Sequence, residues 1–201
     1  MILALDTSTA ACTAALFDGT GACIARRDEI LGRGHAERLV PMIADMLGER
    51  RAQSILVGVG PGSFTGIRVA IAAAHGLAIG WEAPVMGFSS LALLAAGSAA
   101  GEPIAAAMLG GHGELFVQEF DGTSLAPLGA LHNAPPPLAG QAIRASLVVG
   151  PGAAQLVAAR GWGEAREAFP SASAVFGLAE SMRQLPAAPL YARAPDAKVA
   201  A

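Results

Sequence analysis

Val57-Gly58-Val59-Gly60-Pro61-Gly62-Ser63-Phe64-Thr65-Gly66-Ile67-Arg68 is the stretch on which the reading of this chain turns. The apolar run 55–59 has the length and composition of a buried strand. It stops at Gly60-Pro61-Gly62, where the glycines permit positive φ and the proline fixes its own. Ser63 or Thr65 is then placed to cap a long apolar helix expected to run to about Ile79. Strand, glycine-rich turn and capped helix bring several backbone N–H groups to one point, which is the geometry of an anion cradle. The same residues serve equally for a turn that only lets a helix pack closely on a strand, and the sequence leaves both readings open.

Upstream, an apolar strand over 2–5 ends at Asp6-Thr7-Ser8-Thr9, and strands over 12–17 and 22–27 flank the turn Asp18-Gly19-Thr20-Gly21, making a three-strand meander. Residues 35–47 carry Leu39, Met42, Ile43, Met46 and Leu47 at the spacing of one helical face, with Pro41 expected to kink the first turn or mark the start of regular helix. Downstream come a strand over 84–87 and a helix capped by Ser89-Ser90 and running to about Ala96. Meander, helix, strand, helix, strand and helix specify an α/β half-domain with a mixed sheet. The small, flexible 97–103 stretch is the natural boundary, giving an N-terminal lobe over 1–98, a smaller C-terminal lobe over 103–193 and a flexible tail over 194–201. The second lobe reads as a weaker echo of the first. It has strands at 104–108, 115–120 and 147–149, a proline-rich connection at 134–137, a Gly150-Pro151-Gly152 turn, and helices at 153–159 and 173–184.

Composition narrows the function classes. The chain has 201 residues, 53% of them hydrophobic and 14% charged, with a mean hydropathy of +0.49. The most apolar windows, 67–79 and 91–109, fall short of about 20 uninterrupted apolar residues, so no membrane partner is expected. No basic leader precedes the first strand, and a cytoplasmic location is expected. The net charge of −3 with no basic stripe argues against a stand-alone nucleic-acid binder. Cys12 and Cys23 fit neither a disulfide framework nor a metal knuckle and read as small core residues.

Catalytic constellations are sparse. Gly62-Ser63-Phe64 lacks the spacing of a nucleophile elbow. Two histidines four apart on a helix would present a metal pair, but Leu39 stands where the partner of His35 would be, so His35 reads as a capping or surface residue and no metal site is expected. Asp6, at the end of the first strand, is placed either to hold magnesium and phosphate or simply to cap its turn with Thr7 and Ser8. On the cradle reading the candidate phosphate or nucleotide contacts are Asp6, Thr7, Ser8, Gly60, Gly62, Ser63, Thr65, Gly66 and Arg68. The helix after the turn is apolar nearly all round, so it must be covered on more than one side. One face suits the sheet. The rest suits a partner, with Leu39, Met42, Ile43, Met46, Ile67, Ala70, Ala73, Ala74 and Leu77 as candidate interface residues, unless the chain covers the helix itself.

Asp6-Thr7-Ser8, His35 with Leu39-Val40-Pro41, and above all Gly60-Pro61-Gly62-Ser63-Phe64-Thr65-Gly66-Ile67-Arg68 resemble the TsaB family, also called YeaZ, of bacterial tRNA threonylcarbamoyladenosine biosynthesis proteins. Gly76-Leu77-Ala78, Ser89-Ser90-Leu91 and Pro189-Leu190-Tyr191-Ala192-Arg193 extend the resemblance over nearly the whole chain. It implies a two-lobed fold of the acetate kinase, sugar kinase and actin superfamily. It also implies a non-catalytic subunit that pairs with a paralogous TsaD-type catalytic subunit, acts with a TsaE-type ATPase, and forms a homodimer without its partner. On this view the chain has no cofactor or catalytic residue of its own. ATP or ADP belongs to the complex, metal belongs to the catalytic partner, and tRNA is reached only through the complex. The alternative is an independent nucleotidase or small-molecule kinase of the same superfamily, working through Asp6 and the 60–66 loop. Two departures stand out. Leu109-Gly110-Gly111-His112 replaces an Asp-Ala-Arg-like stretch before Gly113-Glu114-Leu115-Phe116, which removes the contacts such residues would make, and the segment between Met46 and Ile55 is short.

Overall fold

Alternation along the first strands sets up the layers of the molecule. In β1 (Ile2–Asp6), Leu3 and Leu5 face one way and Ala4 the other. In β2 (Ala11–Phe17), Cys12, Ala14 and Leu16 oppose Ala15 and Phe17. Both faces are therefore buried, which is why these strands read as nearly continuous apolar runs. β3 (Cys23–Ile30) completes the antiparallel meander. β4 (Ser54–Gly58) and β5 (Val85–Phe88) add in parallel beyond β1, so the sheet runs β3-β2-β1-β4-β5. α1 (His35–Leu47) and α2 (Phe64–Trp81) cover the outer face. α3 (Ser90–Ala96) lies on the inner face. This computed structural model describes residues 1–98 and 101–191.

The second sheet repeats the first, strand for strand. β6 (Ile104–Leu109) pairs antiparallel with β7 (Leu115–Phe120), which pairs antiparallel with β8 (His132–Ala134). β9 (Leu147–Val149) and β10 (Glu164–Arg166) extend the other side in parallel, giving β8-β7-β6-β9-β10. α4 (Pro136–Ala142) and α5 (Ala153–Arg160) cover its outer face as α1 and α2 cover the first. Between the sheets a common core joins Phe17, Leu56 and Phe88 to α3, Met108, Phe120 and Val175. Residues 171–190 leave the second sheet. A 3-10 turn at Ala172–Gly177 enters the common core, and the chain then runs along β5, where Gly87 and Leu185 exchange backbone hydrogen bonds of 2.7 and 2.9 Å.

Several expectations need correcting. The helix expected over 173–184 is two 3-10 turns, Ala172–Gly177 and Glu180–Met182. Its backbone is drawn to tertiary partners, Ala172 N donating to Thr13 Oγ1 at 2.7 Å and Ser89 N to Met182 O at 2.8 Å. The proline-rich connection expected over 134–137 is the end of β8 and the start of α4, whose first turn accepts Pro136 and Pro137 because a missing N–H costs nothing there. Helix α1 is already regular at His35, with Pro41 on its exposed side. Cys23 is exposed rather than in the core. The tail expected over 194–201, and Ala192 and Arg193 of the terminal motif, lie outside the described residues.

Candidate functional site

The central turn is drawn tightly onto the end of β1. Asp6 is 1% exposed. Its Oδ1 accepts from Ser8 N and Ser8 Oγ, both at 2.7 Å, and its Oδ2 accepts from Ser90 Oγ at 2.5 Å. Ser90 Oγ in turn accepts from Gly60 N at 3.2 Å. Burial holds the Asp6 carboxyl above the ordinary carboxylate range, while these hydroxyl and amide donors act in the opposite direction. Thr7 Oγ1 donates to Gly66 O at 2.7 Å, and Ser63 N donates to Ser8 O at 2.7 Å. A Cβ at Gly66 would overlap the Thr7 carbonyl oxygen, and one at Gly58 would overlap Asp6 Oδ2. A Cβ at Gly62, whose φ is 153°, would come within 2.4 Å of the Ser8 carbonyl oxygen.

These contacts favour the packing role of the turn. Ser63 Oγ caps α2 by accepting from Gly66 N at 3.2 Å, so the cap is Ser63 and not Thr65. The amides of Gly60, Ser63, Gly66 and Ile67 all have partners inside the chain. The nine candidate phosphate contacts are split apart. Ser8, Ser63, Thr65 and Gly66 line a cleft of about 590 Å³ between the lobes, opposite Met108, Leu109 and Pro151. Asp6 and Thr7 are buried, and Arg68 lies outside that cleft on the exposed side of α2. His35 lines the cleft with Arg33 and Glu37, and its Nε2 is buried without a hydrogen-bond partner among the described residues. Leu39, one turn further on, faces the sheet core. Among the described residues there is no group of three or more side chains fit to hold a metal ion.

The outward side of α2 is a separate feature. The helix has 18 residues and is long and apolar enough to cross a membrane, but Gly66, Ile67, Ala70, Ile71, Ala74 and Ala78 fasten its inner side to the first sheet. This corrects the expected interface. Leu39, Met42, Ile43, Met46, Ile67, Ala70 and Ala74 are core residues, because the i, i+3, i+4 spacing marks the face each helix turns to its own sheet. Only Ala73 and Leu77 of that set are partly exposed. The exposed side carries Phe64, Arg68, Ala72, His75, Gly76, Ile79 and Gly80, with Ile79 82% exposed, and the 187–191 segment touches it where His75 Nε2 lies 3.2 Å from Ala187 O. A Cβ on Gly76 or Gly80 would meet nothing within 4 Å. Beside this side, a groove of about 230 Å³ runs between the two outer helices, lined by Val40, Ala44, Leu47, Leu77 and Trp81 with Arg50 and Arg51 at one end.

At the start of α2 the Arg68 guanidinium carbon lies 3.6 Å from the centre of the Phe64 ring, and Arg68 Nε donates to Tyr191 Oη at 3.1 Å. Phe64 and Tyr191 stack with ring centres 5.6 Å apart. Sequence reasoning met Phe64, Tyr191 and Gly76 within the family motifs and Ser90 as a helix cap, but it did not single out the Arg68–Phe64–Tyr191 cluster, the Ser90 bond to Asp6 or Gly80. The glycines inside an otherwise good helix pattern were the signal available.

Comparison with known proteins agrees with this geometry. A family model described as TsaD, tRNA N6-adenosine threonylcarbamoyltransferase, matches residues 28–129. The tRNA threonylcarbamoyladenosine biosynthesis protein TsaB of Escherichia coli (strain K12) is 42% identical over 103 residues, 48% of this chain and 43% of that protein. The TsaB of Haemophilus influenzae is likewise 42% identical, over 47% of this chain and 41% of its own length, so the chain aligns with less than half of either relative. An uncharacterized Mycobacterium bovis protein is 31% identical over 98% of this chain and 93% of its own. Among solved structures, one described as an uncharacterized protein with similarity to peptidase YEAZ from Pseudomonas aeruginosa superposes with a TM-score of 0.80 and 30% identity, covering 96% of this chain and 99% of that one. YeaZ from Pseudomonas aeruginosa gives 0.76 and 28%, covering 94% and 99%. The ethanolamine utilization protein EutJ of Carboxydothermus hydrogenoformans, at 0.50 and 15%, shares the fold over 88% of each chain. The architecture is the two-lobed actin-like and sugar-kinase-like fold.

Proposed function

The chain belongs to the TsaB/YeaZ family, and on that footing we propose that it is a non-catalytic accessory subunit which docks a TsaD-type catalytic subunit and activates threonylcarbamoylation of the tRNA adenosine next to the anticodon. The observation that carries the reading is the outer side of α2, where Ala72, Gly76 and Gly80 form a ridge of small residues beside a strongly exposed Ile79. Glycine inside a helix is destabilising by roughly 0.5–1 kcal/mol relative to alanine. Nothing in the described chain approaches Gly76 or Gly80 closely enough to require its small size. A second helix laid across such a ridge would require it, since small residues let two backbones approach and interlock. The groove beside α1 would take that partner's larger side chains.

The saturation of Asp6 supports an accessory role over the alternative of an independent nucleotidase, since both its oxygens serve the fold. In the proposed assembly ATP or ADP and a TsaE-type ATPase act on the complex, metal belongs to the catalytic subunit, and tRNA is reached through that subunit. Self-pairing through the same helices is proposed for the chain without its partner. The deciding experiment reconstitutes threonylcarbamoyladenosine formation on tRNA from a TsaD-type subunit with and without this chain. Formation is expected to depend on the chain, which by itself turns over no ATP. An undiminished rate without it refutes the proposal.

A further inference from the structure

We propose that Arg68, held over the Phe64 ring and hydrogen-bonded to Tyr191, is a preorganised anchor for a carboxylate presented by the protein that docks along α2; this rests on the docking reading above. Three facts lead here. First, Arg68 is the only fully charged residue in α2, and it stands at the start of the outer side, four residues before Ala72. Second, it is not free to swing in solvent as an exposed arginine ordinarily is. The Phe64 ring lies under its guanidinium, and Tyr191, which stacks on Phe64, receives its Nε–H. Third, among the described residues no carboxylate forms an ion pair with it, and neither terminal nitrogen of the guanidinium has an acceptor among them.

An arginine fixed in advance loses less freedom on binding than a mobile one, and its planar fork matches a carboxylate with two parallel hydrogen bonds. Arginine and tyrosine with an aromatic neighbour is also the composition of residues that dominate protein interfaces. The occupant is assigned by continuity and charge. The anchor ends an apolar, small-residue helix side that suits a protein helix, on a chain of net charge −3 that does not suit a nucleic-acid backbone. Tyr191 is a positioning residue, joined to the anchor from the segment that follows the β5 edge, where Leu190 N donates to Val59 O at 2.8 Å.

The test measures the affinity of the full chain for a purified TsaD-type subunit, at low and high salt, for the unaltered protein and for Arg68→Ala, Arg68→Glu, Tyr191→Phe and Gly76→Leu. Arg68→Ala is expected to weaken binding by about tenfold or more and to flatten its salt dependence. Arg68→Glu weakens it further, and Tyr191→Phe, which keeps the stack but not the pin, falls between. Binding of Arg68→Ala and Arg68→Glu indistinguishable from the unaltered protein overturns the anchor, as does loss of tRNA binding with no change toward the protein. Gly76→Leu separates docking from the anchor, because it blocks the ridge at a position where an added Cβ meets nothing of its own chain within 4 Å. If it abolishes binding while the Arg68 variants bind normally, the anchor alone fails; if none of the variants changes binding, docking along α2 fails as well.

Discussion

Replacing Gly76 and Gly80 by alanine makes the chain more stable alone and less able to pair. Neither glycine has a positive φ, and the added methyl at each meets nothing within 4 Å, so alanine brings no strain and no clash. What remains is helix propensity, in which alanine gains about 0.8–1.0 kcal/mol over glycine in a helix interior. Gly76 lies well inside α2 and should return most of that; Gly80 is one residue from the last helical position and should return less. The pair is therefore expected to add about 1–1.5 kcal/mol, which in a chain of this size raises Tm by roughly 2–6 °C. Urea unfolding followed by circular dichroism at low protein concentration is the appropriate assay, because self-association would otherwise stabilise the unaltered chain by mass action. Affinity for the catalytic subunit, measured alongside, should fall as the two methyls hold the helices apart. A midpoint that drops, or stays where it was, refutes the claim that this side of α2 is open. A rise in stability with undiminished pairing refutes the claim that the glycines are kept for a partner.

Gly66→Ala works in the opposite sense. Its Cβ overlaps the Thr7 carbonyl and disturbs the Thr7 Oγ1 to Gly66 O bond, so the urea midpoint should fall by an amount corresponding to about 2–3 kcal/mol, and an unchanged midpoint would mean the turn is not tightly seated. Asp6→Asn tests the raised carboxyl pKa. Where the folded chain holds a proton that the unfolded chain has released, stability falls as pH rises from the ordinary aspartate value toward the elevated one. That slope should disappear in Asp6→Asn, measured by urea midpoint against pH, while Asp6→Ala leaves Ser8 and Ser90 without their acceptor and loses roughly 1–3 kcal/mol at all pH values. Of the two thiols, Cys23 is exposed and Cys12 is buried with its pKa pushed up to about 11. A thiol reagent at mildly alkaline pH should therefore titrate one group in the native chain and two after denaturation, and two fast native groups would contradict the placement of Cys12.

The first lobe was legible because its local signals agreed with its tertiary setting. The meander turned where Asp18-Gly19 stood, α1 began at His35, and α3 was capped by Ser89. The second lobe was harder to read because β8, β9 and β10 have three residues each, too few for alternation to register, and β10 is exposed throughout. The stretch after Ser171 looked helical in isolation, but its amides are claimed by Thr13 and by the edge of β5, contacts more than eighty residues distant that no local pattern records. The site shows the same division. Sequence spacing found the residues around the 60–68 turn, but periodicity marks the side a helix gives to its own core, so the expected interface set came out mostly buried. The exposed side had to be found by what it lacked, in glycines with empty space around them.

The internal repeat sharpens what α2 is for. Each sheet needs a helix after its fourth strand in topological order, and in the second lobe α5 does that with eight residues, setting Ala153 and Leu156 into the core. α2 occupies the equivalent place with 18 residues, about 27 Å of helix. Its inner side is fully used, since β4 and β5 are longer than β9 and β10 and need more cover. Sheet cover explains the inner side and the length, but it places no demand on the outer one. An outer side chosen only for contact with water would carry the charged residues common on exposed helices, as α1 does with Glu37, Arg38 and Asp45. α2 carries Ala72, Gly76, Ile79 and Gly80 there instead, with His75 turned to Ala187 O and one arginine held by two aromatic rings at its start. The repeat thus separates two requirements that the sequence of α2 superimposes: apolar residues set inward by the sheet, and small residues outward that the sheet does not demand, on the side proposed for docking.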